Sequence, residues 1–327
     1  MSSLLIRDGV LVDPTAGLER PGHLLVRDGV IAAIDPRGAA ADRVIDAAGA
    51  FVCPGFVDMH VHLREPGFEH KETIATGLLA AVRGGFTAVA PMPNTQPVCD
   101  SPQVYKLVLD RAAAVRLAHV HPIAAITTGS RGTELADLAR LAALGCRAFS
   151  NDGQPVEDAG TMLRAMDAVR RLGGVVIDHC EDKSLSRGGA MHAGPEAERW
   201  GVTGQSPLAE EVHIARDVLL AEDAGCRLHI AHLSTARGLE LVRWARRRGV
   251  AVTAEAAPHH FCLSTADMPG PDPNFKMNPP LRPPADRDAL MEGLAAGDID
   301  AIATDHAPHT DAEKARGFQD APPGVIG

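Results

Sequence analysis

The sequence predicts an α/β protein in which a (β/α)₈ barrel follows a small N-terminal β domain. Residues 1–53 alternate short aliphatic runs with turn residues, whereas from residue 54 onwards apolar runs alternate with stretches rich in Ala, Leu and Arg. There are eight such apolar runs, the number that closes a (β/α)₈ barrel. Histidine or aspartate residues stand at the ends of most of the runs, where barrels of this TIM-like class place their active sites.

The N-terminal domain, residues 1–53, is expected to be a small β-sandwich. Its short strands are separated by turn signals, and the phrase Arg7-Asp8-Gly9-Val10 is echoed at Arg27-Asp28-Gly29-Val30 between alternating aliphatic residues. Asp-Gly between two apolar runs is typical of a tight hairpin turn. We therefore predict a turn at both phrases.

The second domain, residues 54–327, is expected to be the barrel. Its apolar runs are mostly not alternating, as expected for parallel strands buried on both faces. The predicted strands lie near 55–62, 86–91, 120–126, 146–151, 175–180, 228–233, 250–256 and 299–305. Helices are predicted at Thr73–Arg83, Leu135–Leu144, Met162–Leu172, Glu210–Ala224 and Gly238–Arg248. After the eighth run only a loop, 307–327, is predicted, so a closing C-terminal segment is expected to be missing and the barrel to be cut after strand eight.

Composition excludes several classes of function. The 327-residue chain has a formal net charge of -10 and a pI near 5.8, and no basic stripe that would suit a nucleic-acid surface. No stretch of about 18 apolar residues predicts a membrane span, and the N-terminus does not resemble a signal peptide. Six scattered cysteines show no paired spacing. We expect a cytoplasmic protein with reduced, mostly buried cysteines.

The most informative motif is Asp58-Met59-His60-Val61-His62 at the end of the first barrel run. Histidines at i and i+2 of a strand point to the same face, so both imidazoles can reach one metal ion. An isolated pair of this kind is more often a polar strand edge, and the other strand ends decide between the two readings. Candidate partners at later strand ends are Asp152, His179, His232 and Asp305.

Arg64 follows two residues after His62 and places a guanidinium beside the predicted metal. A planar cation there suits a substrate carboxylate. The alternative is a surface ion pair with Glu65 or Glu69. For Asp152 the alternative is an Asx-type turn with Gly153, and for Asp305 a helix N-cap.

These motifs give the chain a family resemblance. It resembles the amidohydrolase superfamily, and most closely the class I bacterial dihydroorotases. The resemblance rests on the phrases 58–67 (DMHVHLREPG), 91–95 (PMPNT), 150–153 (SNDG), 258–260 (PHH), 276–282 (KMNPPLR) and 303–309 (ATDHAPH). The first and last in combination are highly specific.

The resemblance implies a zinc-dependent dihydroorotase, which reversibly cyclises N-carbamoyl-L-aspartate to (S)-dihydroorotate in pyrimidine biosynthesis. It implies two zinc ions, one held by His60, His62 and Asp305 and the other by His179 and His232, with Asp152 as the bridging carboxylate. Asp305 would also move the proton as the catalytic acid and base. The implied substrate contacts are His62, Arg64, Asn94, Asn278, His309, Pro323 and Gly324. For Asn94 and Asn278 alone, a surface or capping role is the alternative.

Two rival functions stay open at this stage. One is a cyclic amidohydrolase of the allantoinase or dihydropyrimidinase kind, whose substrates lack the ring carboxylate and whose members resemble this chain but use a carboxylated lysine where Asp152 stands. The other is a non-catalytic scaffold for aspartate transcarbamoylase, which would lose metal ligands. The resemblance also leaves open a homodimer and an association with aspartate transcarbamoylase.

Overall fold

The computed structural model describes residues 2–327, which form two compact units: one ends at Phe56 and the other is Val57–Gly327. The first unit contains one five-stranded mixed sheet, in which β1 pairs antiparallel with β2 and parallel with β4 and β5. A sandwich needs a second sheet, and residues 2–56 supply only this one. The strands are β1 (Ser3–Asp13), β2 (Leu18–Arg27), β3 (Val30–Ile34), β4 (Arg43–Asp46) and β5 (Phe51–Val52).

The two Asp-Gly phrases of this unit adopt different structures. Asp28 and Gly29 both have positive φ, at 49° and 79°, and form the predicted hairpin turn between β2 and β3. The prediction of a turn at Asp8-Gly9 is wrong. There the chain stays within β1, and the register against β2 shifts between Ile6 and Gly9, so the phrase is a β-bulge.

The second unit contains the eight predicted barrel strands in two arcs. One arc has the order β6-β7-β8 and the other β15-β14-β13-β10-β9. Parallel bridges join the arcs, Val61 to His306 on one side and Ala124 to Phe149 on the other. The barrel strands are β6 (Phe56–Val61), β7 (Phe86–Pro91), β8 (His119–Val120), β9 (Ala148–Phe149), β10 (Val175–Asp178), β13 (Leu228–Ile230), β14 (Val252–Ala256) and β15 (Ala301–Ile302). A separate parallel pair is formed by β11 (Met191–His192) and β12 (Gly204–Gln205).

Helices follow most of these strands and begin at capping side chains. Thr73, Asp158 and Thr235 accept backbone N–H groups of the first turns of α1, α4 and α8. The helices of ten or more residues are α1 (Ile74–Arg83), α2 (Pro102–Val115), α4 (Ala159–Arg171), α7 (Leu208–Ala224), α8 (Ala236–Arg247) and α10 (Pro284–Ala296). The short ones are α3 (Leu138–Ala143), α5 (Lys183–Ser186), α6 (Pro195–Trp200), α9 (Pro258–Cys262) and α11 (Asp311–Lys314). The five predicted helices, α3 among them, are confirmed. The helices α2 and α10 and the other short helices were not predicted, and α11 lies in the segment expected to be only a loop.

The core of the second unit is aliphatic. Phe149, Met162, Ile214 and Ile230 have no measurable exposure and pack among the strands β9 to β14 and the helices outside them. The polar residues of the barrel begin beyond this cluster, at the carboxyl ends of the strands. All six cysteines are free, and four of them are buried. No helix among residues 2–327 is both long and apolar enough to cross a membrane.

Candidate metal centre and substrate pocket

Six side chains from the ends of five strands meet at one end of the barrel. His60 lies on β6, and His179 directly follows β10; the others stand one to three residues past the ends of their strands. All six are buried, with exposures from 0% at His60 to 6% at Asp305. The full set is His60, His62, Asp152, His179, His232 and Asp305. These are the metal ligands predicted from the sequence, and the barrel brings them together.

Asp152 lies at the centre of this group. Its Oδ1 is 3.5 Å from His60 Nε2 and 3.8 Å from both His179 Nδ1 and His232 Nε2. Its Oδ2 is 3.7 Å from His62 Nε2. One carboxylate therefore faces four imidazoles, the arrangement needed to bridge two cations.

Asp305 closes the group on the side of β6. Its Oδ1 lies 3.1 Å from His62 Nε2 and 3.4 Å from His60 Nε2. His179 Nδ1 is 2.9 Å from His232 Nε2, so the remaining two imidazoles form a second pair. Asp305 therefore lies beside the two histidines of β6, and His179 and His232 lie beside each other.

The group fits a divalent metal. His60 Nε2, Asp152 Oδ1 and His232 Nδ1 are buried atoms without a hydrogen-bond partner among the described residues, and such atoms are costly to bury unless something binds them. Ligand atoms of His60, His62 and Asp305, and of His60, Asp152 and His232, lie within 4.8 Å of one another. Imidazole and carboxylate ligands with buried surroundings suit zinc.

The electrostatics agree with a cation site. Burial, together with the imidazoles of His179 and His60, lowers the pKa of His232 to about 3, so this side chain is neutral and its lone pair is available. Burial opposes protonation of His60, but the carboxylates of Asp305 and Glu255 outweigh it and raise the pKa of His60 to about 10. Burial favours a protonated Asp152, yet the facing imidazoles hold the pKa of its carboxyl below the usual range. The carboxylates of the site are thus stabilised by positive charge on the imidazoles beside them.

Two glutamates orient the ligands and were missed in the sequence. Glu255 on β14 accepts from His60 Nδ1 at 2.7 Å and from His229 Nε2 at 3.1 Å. Glu181 lies 3.0 Å from His179 Nε2. Carboxylates that hold the second nitrogen of a ligating histidine fix its tautomer and ring orientation. A signal did exist for Glu255, because a charged residue inside the apolar run 250–256 must be paired.

The predicted substrate residues line a cavity of about 330 Å³ above the ligands. They are His62, Arg64, Asn94, Asn278, His309, Pro323 and Gly324, and Gln154 and Lys183, which were not predicted, line it as well. Asn94 bonds to two of the ligands, since its Oδ1 is 2.9 Å from His62 Nδ1 and its Nδ2 donates to Asp152 Oδ2 at 3.2 Å. Its amide therefore steadies the metal group from inside the pocket.

Arg64 points into this cavity and does not pair with Glu65 or Glu69. Its Nε donates to the Pro308 carbonyl at 3.2 Å. Lys71 Nζ lies 3.3 Å from His309 Nδ1, and His309 Nε2 lies 2.9 Å from the Pro323 carbonyl. Nδ1 is then the acceptor and Nε2–H the donor, so His309 cannot also accept from Arg64 Nη2, 3.3 Å away. The outer N–H groups of the guanidinium stay available to a ligand.

Three residues of the site have strained backbones. Arg64, His232 and Asp305 have φ values of 61°, 31° and 48°, in the left-handed region that non-glycine residues seldom occupy. Gly324 closes the pocket with φ at 138°, and a Cβ there would lie 2.6 Å from the Ala307 carbonyl oxygen. Such strain collects at functional sites, where the surrounding structure enforces it.

Comparisons with known proteins agree with this geometry. Residues 49–238 match the family model described as Dihydro-orotase-like. The chain is 49% identical to a dihydroorotase of Geobacillus sp. (strain WCH70) and 52% identical to one of Pelotomaculum thermopropionicum, over 99% of its own length and 76% of theirs.

Solved structures of related enzymes share the fold. An L-hydantoinase (dihydropyrimidinase) from Arthrobacter aurescens superposes with a TM-score of 0.87 at 26% identity, covering 100% of this chain and 75% of that one. A D-hydantoinase from Thermus sp. gives 0.81 at 26% identity, covering 99% and 74%. The family match, the sequence identity and the shared barrel lead to one conclusion: the chain belongs to the dihydroorotase-like family of cyclic amidohydrolases.

Proposed function

We propose that the protein is a dihydroorotase that interconverts (S)-dihydroorotate and N-carbamoyl-L-aspartate. The observation that carries the proposal is the position of Arg64, whose outer guanidinium N–H groups are available to a ligand in the same small cavity as the ligands around Asp152. The ring carboxylate of dihydroorotate needs such a planar cation, and its cyclic amide needs the metal group beside it. The family relationship supports the same reaction.

The proposed metal is zinc, with two ions per chain, since four histidines and two carboxylates exceed the ligands of one tetrahedral ion. His60, His62 and Asp305 would hold one ion, His179 and His232 the other, and Asp152 both. When bound, zinc supplies a Lewis acid for the amide carbonyl and makes water acidic enough to act near neutral pH. This assignment rests on the distances and unpartnered atoms described above.

The side chains of the pocket bind the substrate and transfer the proton. Arg64 holds the ring carboxylate, and Asn278 and His309 lie where they can contact the ring. In the hydrolytic direction, Asp305 takes a proton from the attacking water and returns it to the ring nitrogen as the carbon–nitrogen bond breaks. In the direction of cyclisation the same carboxyl acts in reverse.

Two rivals are less well supported. A hydantoinase-like enzyme would have no use for the Arg64 guanidinium, and the position of its carboxylated lysine is occupied by Asp152. A non-catalytic scaffold would not need six converging ligands with unpartnered atoms. A homodimer and an association with aspartate transcarbamoylase stay predictions, to be checked by the molar mass in solution with and without that enzyme.

The experiment that tests the proposed function compares two matched substrates. Dihydrouracil is dihydroorotate without the ring carboxylate, so only Arg64 should distinguish them. We expect kcat/KM for dihydroorotate to exceed that for dihydrouracil by about 10²-fold or more, because the Arg64 guanidinium is left without a carboxylate partner in the second case. Equal turnover of the two, or preference for dihydrouracil, would favour the hydantoinase-like rival.

A further inference from the structure

Glu181 receives three side-chain donors at the edge of the pocket. It is 5% exposed and stands two residues after His179. Its Oε2 lies 3.0 Å from His179 Nε2, 3.0 Å from Asn278 Nδ2 and 2.6 Å from Lys183 Nζ. A single oxygen thus joins a metal ligand, a substrate contact and a lysine of the pocket.

The contact with His179 decides how that imidazole can bind a metal. With its Nε2–H donated to Glu181, His179 is left with the lone pair of Nδ1, the atom 3.8 Å from Asp152 Oδ1. A carboxylate in this place fixes the tautomer and makes the other nitrogen more basic. Glu181 therefore acts on the second metal position without being a ligand.

The contact with Asn278 decides how its amide faces the pocket. Its Nδ2 donates to Glu181, and its Oδ1 lies 3.4 Å from Gln205 Nε2. This pair of partners sets which end of the amide is the donor. Loss of Glu181 would release the rotation of the amide as well as that of the imidazole.

Lys183 supplies the compensating charge. A carboxylate this buried is costly unless a cation and hydrogen bonds offset the loss of water. Lys183 also approaches the carbonyl of Gly153 at 3.4 Å, next to the bridging Asp152. The lysine is 36% exposed on the pocket side, so Glu181 has a charged partner that water can still reach.

We propose that Glu181 is a positioning residue that couples occupancy of the His179 metal position to substrate binding through Asn278, with Lys183 as its counter-ion. This inference rests on the proposed function and adds a residue to it. Neither the sequence motifs nor the set of metal ligands requires that Glu181 connect His179 to Asn278. The proposal follows from the three donors that share one oxygen of Glu181.

The test uses the zinc-loaded protein, Glu181→Gln, and Glu198→Gln as a matched control on an exposed position of α6. Zinc release to a chromophoric chelator is measured without substrate. We expect one of the two zinc equivalents to be bound about 10- to 100-fold more weakly in Glu181→Gln, the range found for lost orienting carboxylates. Cobalt substitution should show a changed visible spectrum at the same equivalent, and the control should change neither readout.

Kinetics give the second half of the test. With both variants saturated with zinc, KM for dihydroorotate should rise about 10-fold in Glu181→Gln. Asn278→Ala should raise KM less in that background than alone, because contacting residues are not additive. If Glu181→Gln does not fold, Lys183→Gln is measured instead and should show the same two effects at smaller size.

Zinc release from Glu181→Gln that matches that of the Glu198→Gln control, or additive effects of Glu181→Gln and Asn278→Ala on KM, would overturn the coupling. Failure of the proposed function looks different. In that case the wild-type protein would not hydrolyse dihydroorotate, yet zinc binding would still depend on Glu181. The chelator measurement therefore judges the inference independently of the reaction.

Discussion

Asp152 carries more of the site than any other residue, because four imidazoles face its two oxygens. Its Oδ1 has no hydrogen-bond partner among the described residues, although it is buried. An isolated carboxylate at this depth would be costly, and the neighbouring imidazoles alone make long contacts of 3.5 to 3.8 Å. These distances leave room for cations between the groups.

Replacement of Asp152 by Ala should therefore release metal. We expect the Asp152→Ala protein to lose at least one of two zinc equivalents, since no other oxygen can bridge the two histidine pairs. Elemental analysis after gel filtration measures this. Asp110→Ala, at an exposed position of α2, is the matched control. Full zinc content in Asp152→Ala would refute the bridging role.

Replacement of Arg64 should change the turnover of substrate and leave the zinc content unchanged. In Arg64→Lys an ammonium cannot reproduce the bidentate fork, so kcat/KM for dihydroorotate should fall about 10- to 100-fold with unchanged zinc content. Arg140→Lys, at a position 76% exposed, serves as the control. Steady-state kinetics with parallel metal analysis give both quantities. Wild-type kcat/KM in Arg64→Lys would mean that the guanidinium only braces the Pro308 carbonyl.

At the scale of single residues, the sequence predicted the metal ligands better than the glutamates that hydrogen-bond to them. Residues such as His60 and Asp305 stand at the ends of apolar runs, and that position is visible without a structure. The roles of Glu181 and Glu255 depend on the side chains they meet. Glu255 bonds to His60 and His229 of other strands, and Glu181 bonds to the distant Asn278 as well as to His179, two residues before it. His229 shows the same limit, because its position in an apolar run does not reveal that it bonds to Glu255, which in turn bonds to the ligand His60.

At the scale of elements, the short helix α11 fixes one wall of the pocket. Glu313 accepts from the Thr310 backbone and forms an ion pair of 2.9 Å with Lys71, which in turn lies beside His309. Burial alone would raise the pKa of Glu313, but these partners lower it to about 2. A four-residue helix gives no periodic pattern, and the signal for α11 that the sequence does contain is the capping box formed by Thr310 and Glu313.

The lowered pKa of Glu313 predicts how acid affects this element. A carboxyl with a depressed folded pKa adds stability that is fully present above its unfolded pKa, near 4.5, and is lost as the pH falls towards about 2. Thermal unfolding should therefore separate wild type from Glu313→Gln by about 1 kcal/mol, about 2–4 °C, at pH 6–8. The difference should narrow below pH 4.5.

Asp311→Asn, at an exposed position in the same helix, is the control and should not show this pH dependence. A constant difference between wild type and Glu313→Gln from pH 8 down to pH 4 and below would show that the pair with Lys71 contributes nothing through its charge.

At the scale of the whole molecule, the barrel brings residues that are far apart in the sequence into contact. Its eight strands were predicted because buried parallel strands are continuous apolar runs, a strong signal. The bulge at Asp8 in the N-terminal sheet was not, since Asp-Gly is equally compatible with a turn and only the register of β1 against β2 decides. At the point where the barrel closes, the Asp58 carboxylate accepts from the Thr304 hydroxyl at 2.6 Å and so links the first barrel strand to the segment that carries Asp305.

The central claim is that Asp305, delivered by barrel closure, moves the proton of a metal-assisted amide hydrolysis. The most direct measurement is dihydroorotate hydrolysis by the Asp305→Asn protein, with zinc content determined in the same samples and Asp288→Asn as an exposed control. An amide can neither take up the proton nor return it, so the zinc-loaded variant should lose about 10²- to 10⁴-fold or more in kcat while remaining folded. Substantial hydrolysis by zinc-loaded Asp305→Asn would contradict the account.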